Sequence, residues 1–474
     1  MREYRLLLLL IFLLSAGCAM GPDYMRPQLA LPSSSDNATA QVAPFAAADW
    51  WKLFDDSTLD RIEDEALVYN RDLKIAMSRV EEARALARIA FADRLPAVGI
   101  GAGADRGRVS QETAIPGESR TSDSFDALGL ASFELDLWGR YRRLDEAARA
   151  DLLATESARD VVRLSLTADV AALYFRLRTL QAQTRIARDQ LASYDRTCDV
   201  YRKRFRAGYT QELDLRRLEA DRLATAALLY QRENELSKAE TALAALLGRS
   251  PRDIVQGFSE PGKTLEELNT FPRIPDNIPS DLLGRRPDIR RDEAMLIAAN
   301  ARIGAARAAF FPSIALTGQY GFASSELQEL FTDGANVWNI AGSLTQPIFE
   351  GGRLLARAKA ARARQEQMLA QYEQTVQNAF RETRDALVAG TKTAQVLEAS
   401  IDRALAMQRS CELSSRQHAR GYISIIDVLD IQRRSLLAEL DLSFARQGQL
   451  DSIIALCRAM GGGWAENPDA GRLY

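Results

Sequence analysis

Asp427 and Asp430 are the residues of this sequence whose type and spacing most invite chemistry. Three apart, they fall on one helix face, because positions i and i+3 are neighbours on an α-helix. Paired carboxylates can serve acid–base work, but Ser424-Ile-Ile-Asp427 also fits a capping box, in which the serine oxygen and the carboxylate satisfy free N–H groups at a helix start. That reading accounts for Asp427 and leaves Asp430 unexplained. Other reactive side chains are sparse. His418, the single histidine, stands three residues before Gly421, where it either titrates near neutral pH or rides inertly on a helix. The four cysteines, Cys18, Cys198, Cys411 and Cys457, form no C-x-x-C pair, so zinc and iron–sulfur sites lack their ligands. No H-E-x-x-H or G-x-S-x-G occurs. Without a convergent acid, base and nucleophile, the sequence reads as a non-enzyme with no metal and no cofactor.

The composition agrees. The chain has 474 residues, 47% hydrophobic and 26% charged, a globular balance. Its 61 basic and 64 acidic residues give a net charge of −3, without the basic excess that nucleic-acid binding requires.

The amino terminus points to export. Arg2 and Arg5 precede an apolar run from Leu6 to Leu14, then Ser15-Ala16-Gly17, so residues 1–17 read as a signal peptide whose run is too short to span a bilayer. Small residues directly before Cys18 resemble a bacterial lipoprotein processing site, although Ser15 stands where such sites usually carry leucine. The resemblance makes Cys18 the lipidated residue. Ala19, in place of aspartate, resembles a signal for sorting to the outer membrane. Residues 18–49, with four prolines and a serine run, have the composition of an extended tether. The remaining three cysteines are an odd number and read as small buried side chains instead of disulfide partners.

The elements that must position Asp427 and Asp430 come in duplicate. Residues 196–248 laid over 409–461 give ten identities in 53 positions, among them Cys198 with Cys411, Gly208-Tyr209 with Gly421-Tyr422, and Asp214 with Asp427. At this offset Asp430 corresponds to Arg217. The chain therefore divides into repeat 1, residues 50–260, and repeat 2, residues 261–474. Repeat 1 holds a helix, alternating segments at about 97–107 and 127–138, a long helix at 139–206, a glycine turn, and a helix at 211–247. Repeat 2 opens on a proline-rich segment and continues with a helix at 288–310, alternating segments at about 313–323 and 337–349, a long helix at 352–420, a turn, and a helix at 424–460.

Each alternating segment has about the ten residues that a tilted membrane strand needs. Soluble hairpins over a core would alternate in the same way. The helices that follow argue for the membrane: 139–206 and 352–420 contain no proline and one interior glycine, Gly390. At 1.5 Å per residue each is about 100 Å long, more than a compact domain can use. Four membrane strands cannot close a barrel, and an open edge in lipid leaves backbone groups unsatisfied, so several chains must share one.

The sequence resembles the TolC-like outer-membrane channel family, in particular its lipoprotein members serving multidrug efflux. The resemblance rests on Gly21-Pro-Asp-Tyr24, Trp50-Trp51 followed by Phe54, Leu282-Leu-Gly-Arg-Arg-Pro-Asp-Ile289, Ala308-Ala-Phe-Phe-Pro-Ser-Ile314 and Gln346-Pro-Ile-Phe-Glu-Gly-Gly-Arg353. It implies a mainly α fold with membrane β: a homotrimer whose twelve strands form one outer-membrane barrel, continued by a periplasmic α-helical barrel. It also implies a periplasmic adaptor and an inner-membrane efflux pump as partners, and Gly208 and Gly421 as the periplasmic tip turns. Asp427 and Asp430 match positions that form acidic rings at the closed mouth, with Ile426 as an apolar constriction beside them. Crowded carboxylates of this kind raise one another's pKa and attract cations. Ile423 stands where some members carry a latching arginine. The function expected is a passive exit duct for small toxic compounds. Type I protein secretion uses a similar duct, and a periplasmic coiled-coil scaffold lipoprotein would share the helices but not the barrel.

Overall fold

The computed structural model describes residues 19–29, 45–113, 119–257, 262–268 and 284–462. In chain order the elements are α1 (Ser57–Tyr69), α2 (Arg71–Ala92), β1 (Ala97–Arg108), β2 (Thr121–Leu135), α3 (Arg140–Arg206), α4 (Glu212–Leu246), the single turn α5 (Pro251–Gln256), α6 (Pro287–Ala308), β3 (Ser313–Ser324), β4 (Asn336–Thr345), α7 (Arg353–Ala419) and α8 (Ile425–Ala459). None of the described helices is long and apolar enough to cross a membrane. Contacts divide the chain into two units, one built on Arg79–Thr155 and Arg291–Glu373 with the N-terminal segment, the other on Leu29–Ser78, Glu156–Arg290 and Gln374–Tyr474.

The first unit holds a four-stranded antiparallel sheet of order β1-β2-β3-β4. The central β2–β3 ladder joins the two repeats, pairing Leu135 with Ile314 at one end and Phe125 with Ser324 at the other. Two strands depart from their expected bounds. β2 begins at Thr121, not 127, because the ladder with β1 continues through Asp105–Ser124 and Arg106–Asp123 to Arg108–Thr121. An Arg106–Asp123 ion pair at 3.2 Å accompanies that polar extension. β4 stops at Thr345, not 349, since Pro347 has no N–H to give a ladder.

The same unit shows what the Gly21-Pro-Asp-Tyr24 segment does. Residues 19–29 carry no helix or strand and lie against α6 and the start of α3. Met20 N–H donates to the Trp138 carbonyl at 3.0 Å. Asn300 donates to the Pro22 carbonyl at 2.8 Å, Asp23 pairs with Arg143 at 2.7 Å, and Tyr24 donates to Glu293 at 3.2 Å. Gly304 permits the approach, for a Cβ there would stand 2.5 Å from the Met20 carbonyl oxygen. Cys18 lies outside the described residues.

The core of the second unit explains the tryptophan motif. Trp50, Trp51 and Phe54 are buried with Leu59 and Ile62 of α1, Tyr174 and Phe175 of α3, Leu243 of α4, and Ile453 and Cys457 of α8. Phe54 meets Phe175 edge to face at 4.7 Å. Each large side chain so buried contributes about 1.5–3 kcal/mol. The core takes in Phe45, five residues before Trp50, so the segment expected to be tether from 18 to 49 is packed at its end as well as along residues 19–29. Cys198, Cys411 and Cys457 are free thiols, and burial raises the pKa of each. Both long helices end in cations, Lys203, Arg204 and Arg206 on α3 and Arg416 on α7, which suits the negative end of the helix dipole.

Candidate functional site

The sheet presents two chemically opposite faces, and their composition follows from the registers. On one face the cross-strand rows read Ile100–Gly129–Tyr320–Trp338, Val98–Ala131–Gly318–Ile340, Phe133–Leu316–Gly342 and Leu135–Ile314–Leu344. On the other they read Gly99–Leu130–Gln319–Asn339, Ala97–Ser132–Thr317–Ala341 and Glu134–Ala315–Ser343. The apolar face is uncovered: Val98, Ile100, Trp338 and Ile340 are 70–93% exposed. In water such a surface is a liability; against lipid it is the required wall. The outer edges of β1 and β4 have no strand partner among the described residues.

At the strand ends aromatic groups tie the repeats together. Trp138 Nε1 donates to the Pro312 carbonyl at 2.8 Å and its ring stacks on Phe311 at 4.8 Å. The Ala308-Ala-Phe-Phe-Pro motif of repeat 2 is thus the receptor for a tryptophan of repeat 1.

The two glycine turns are copies of each other. Gly208 and Gly421 have φ of 78° and 80°, in the left-handed region that suits glycine. Tyr209 N–H donates to the Arg204 carbonyl at 2.9 Å and Tyr422 N–H to the Gln417 carbonyl at 3.0 Å, closing both helices in the Schellman manner. Behind them a small apolar cluster joins three helices: Tyr194, Cys198 and Tyr201 of α3, Leu215 and Leu218 of α4, and Ile425, Val428 and Leu429 of α8.

Asp427 completes the expected capping box, with Ser424 Oγ accepting from Asp427 N–H at 3.2 Å and Asp427 accepting from Ser424 N–H at 3.1 Å. Asp430 shares with Asp427 and Ile426 the face of α8 turned away from the buried Ile425, Val428 and Leu429. Asp430 is doubly paired, to Arg433 at 2.6 Å and Arg434 at 2.8 Å. Those arginines went unread in the sequence, although spacings of three and four residues are the signal for such pairs. His418 was also under-read. Its Nδ1 donates to the Ile423 carbonyl at 3.0 Å, and in the neutral ring Nε2 accepts from the Tyr201 hydroxyl, also at 3.0 Å. One imidazole thus ties the second turn to α3. No local pattern announces a contact between residues 217 positions apart. Burial pushes the Tyr201 phenol above its ordinary pKa, so it stays a hydroxyl donor.

Among the described residues no group of three or more histidine, cysteine or acidic side chains is placed to hold a metal ion. What the arrangement offers is a wall, a cap and a turn.

The chain is 36% identical over 475 residues to the cation efflux system protein CusC of Escherichia coli O6:H1, covering 98% of this chain and 100% of that protein. It is 34% identical over 475 residues to the toluene efflux pump outer membrane protein TtgI of Pseudomonas putida, covering 98% and 99%. The crystal structure of the Campylobacter jejuni CmeC outer membrane channel superimposes with a TM-score of 0.89 at 26% identity, over 96% of this chain and 97% of that one. Residues 63–249 and 278–462, one segment in each repeat, match the outer membrane efflux protein family, and the chain belongs to that family.

Proposed function

We infer that the chain is one third of the exit duct of a tripartite efflux system. Three four-stranded sheets close into one twelve-stranded barrel in the outer membrane, and the helices continue the duct into the periplasm. A periplasmic adaptor and an inner-membrane pump complete the path; the pump supplies the energy, and the duct performs no catalytic step. The single observation that carries this reading is the two-faced sheet whose outer edges have no strand partner among the described residues, since in lipid only closure with other copies satisfies the edge groups. Cys18 is the lipid attachment point, and Gly208 and Gly421 form the tips. Asp427, Asp430 and Ile426 line the mouth and gate it, on the exposed face of α8. The cargo is small toxic compounds, as the names of the cation and toluene relatives suggest.

Deleting the gene is expected to raise susceptibility to at least one class of toxic metal, solvent or antibiotic, and to slow efflux of a fluorescent dye from loaded cells. Complementation by the intact chain restores both. Unchanged susceptibility and dye efflux in a strain lacking other ducts of the family would reject the assignment.

A further inference from the structure

Asp430 is not a bare carboxylate. Arg433 Nη2 lies 2.6 Å from its Oδ1 and Arg434 Nε 2.8 Å from its Oδ2, so each oxygen has its own guanidinium. Pairs of this kind are charge-assisted and directional. Asp427 is engaged differently, its Oδ2 accepting from the Ser424 N–H at 3.1 Å and the Ser424 hydroxyl at 2.7 Å. Beyond the Ser424 cap, this face of α8 therefore carries two carboxylates and two arginines, which sum to zero. The first repeat inverts the order: at the corresponding positions of α4, Arg217 replaces Asp430 and Asp221 replaces Arg434. Arg217 is exposed and has no ion-pair partner among the described residues. On α4 the neighbouring Arg216 is itself paired with Glu212 at 3.1 Å and Glu219 at 3.0 Å.

We propose that Arg433 and Arg434 set the ion preference of the mouth, neutralising Asp430 in every chain so that anionic and cationic solutes pass with similar ease. This rests on the reading that Asp427 and Asp430 line the mouth. A ring of three free carboxylates would concentrate cations and repel anions; a ring of three carboxylates, each held by two guanidinium groups, does neither.

The test is the reversal potential of purified trimer in planar bilayers under a KCl gradient. The wild type should sit near zero. Arg433→Gln with Arg434→Gln should raise the K+/Cl− permeability ratio several-fold, and Asp430→Asn should lower it. Arg434→Lys, which keeps the charge, should behave as wild type, and each single Arg→Gln should give part of the shift if the double variant does not assemble. A shift with Asp430→Asn but none with the arginine variants would overturn the proposal and leave the mouth assignment standing. No shift with any of them would show that Asp430 does not face the ion path, and the mouth assignment itself would fall.

Discussion

Ile340→Arg is expected to abolish the assembled trimer in the outer membrane, and Asn339→Arg, one residue away, to leave it intact. Ile340 stands in the middle of β4, 79% exposed on the apolar face and paired with Gly318; Asn339 pairs with Gln319 on the polar face. An arginine facing lipid near the bilayer midplane costs about 2–4 kcal/mol, and a closed barrel of three chains bears that cost three times. The same side chain turned inward meets water and is nearly free of cost. The check is the yield of heat-modifiable trimer in purified outer membranes. Equal yields from the two variants would mean that the sheet has no lipid face, as in the scaffold alternative.

The second large effect concerns Arg286, the middle of the Gly-Arg-Arg-Pro-Asp motif. Its side chain is 7% exposed and makes three different links. It pairs with Asp288 at 2.7 Å and with Glu382 of α7 at 2.8 Å, and donates to the Ala459 carbonyl at the end of α8 at 3.1 Å. Burial alone would depress an arginine's pKa, but Asp288 and Glu382 more than offset it and raise it. Arg286→Ala takes this donor from two carboxylates and a helix-terminal carbonyl, although Asp288 keeps the Ile289 N–H and the Ala459 carbonyl keeps the Thr383 hydroxyl; the loss is about 1.5–3 kcal/mol per chain, on the scale of hydrogen bonds to charged groups. Arg286→Lys recovers little, because one ammonium cannot replace a planar fork that reaches three acceptors. The expected result is a lower unfolding midpoint in denaturant, with the slope unchanged, for Arg286→Ala and for Arg286→Lys alike.

Much of this was legible in the sequence because membrane strands and long helices impose strict periods. The alternation of Val98 and Ile100 with Gly99 and Gly101 survives as two faces of one sheet, and the absence of proline from 140 to 206 survives as a single helix. The duplication foretold two glycine turns, and the structure adds that their hydrogen bonds match. What escaped reading was non-local or lay beyond the pattern. Thr121–Ser124 looked like loop because the polar end of a strand that leaves the membrane has no hydrophobic alternation. Phe45 looked like tether because one aromatic among alanines carries no period. His418 looked inert because its partner Tyr201 lies in the other repeat, with Ser414 at the position of Tyr201 and Phe205 at that of His418. At the start of α8, Asp427 could be placed from its own turn, whereas the pairing of Asp430 depends on Arg433 and Arg434, three and four residues on.

The central claim, a gated duct shared by three chains, is tested most directly by single-channel recording in planar bilayers on purified trimer, comparing wild type with Asp427→Ala combined with Asp430→Ala. The account predicts small, rarely open conductance for the wild type and a much larger, steadier conductance for the double variant. Trimer that conducts in neither form would contradict it.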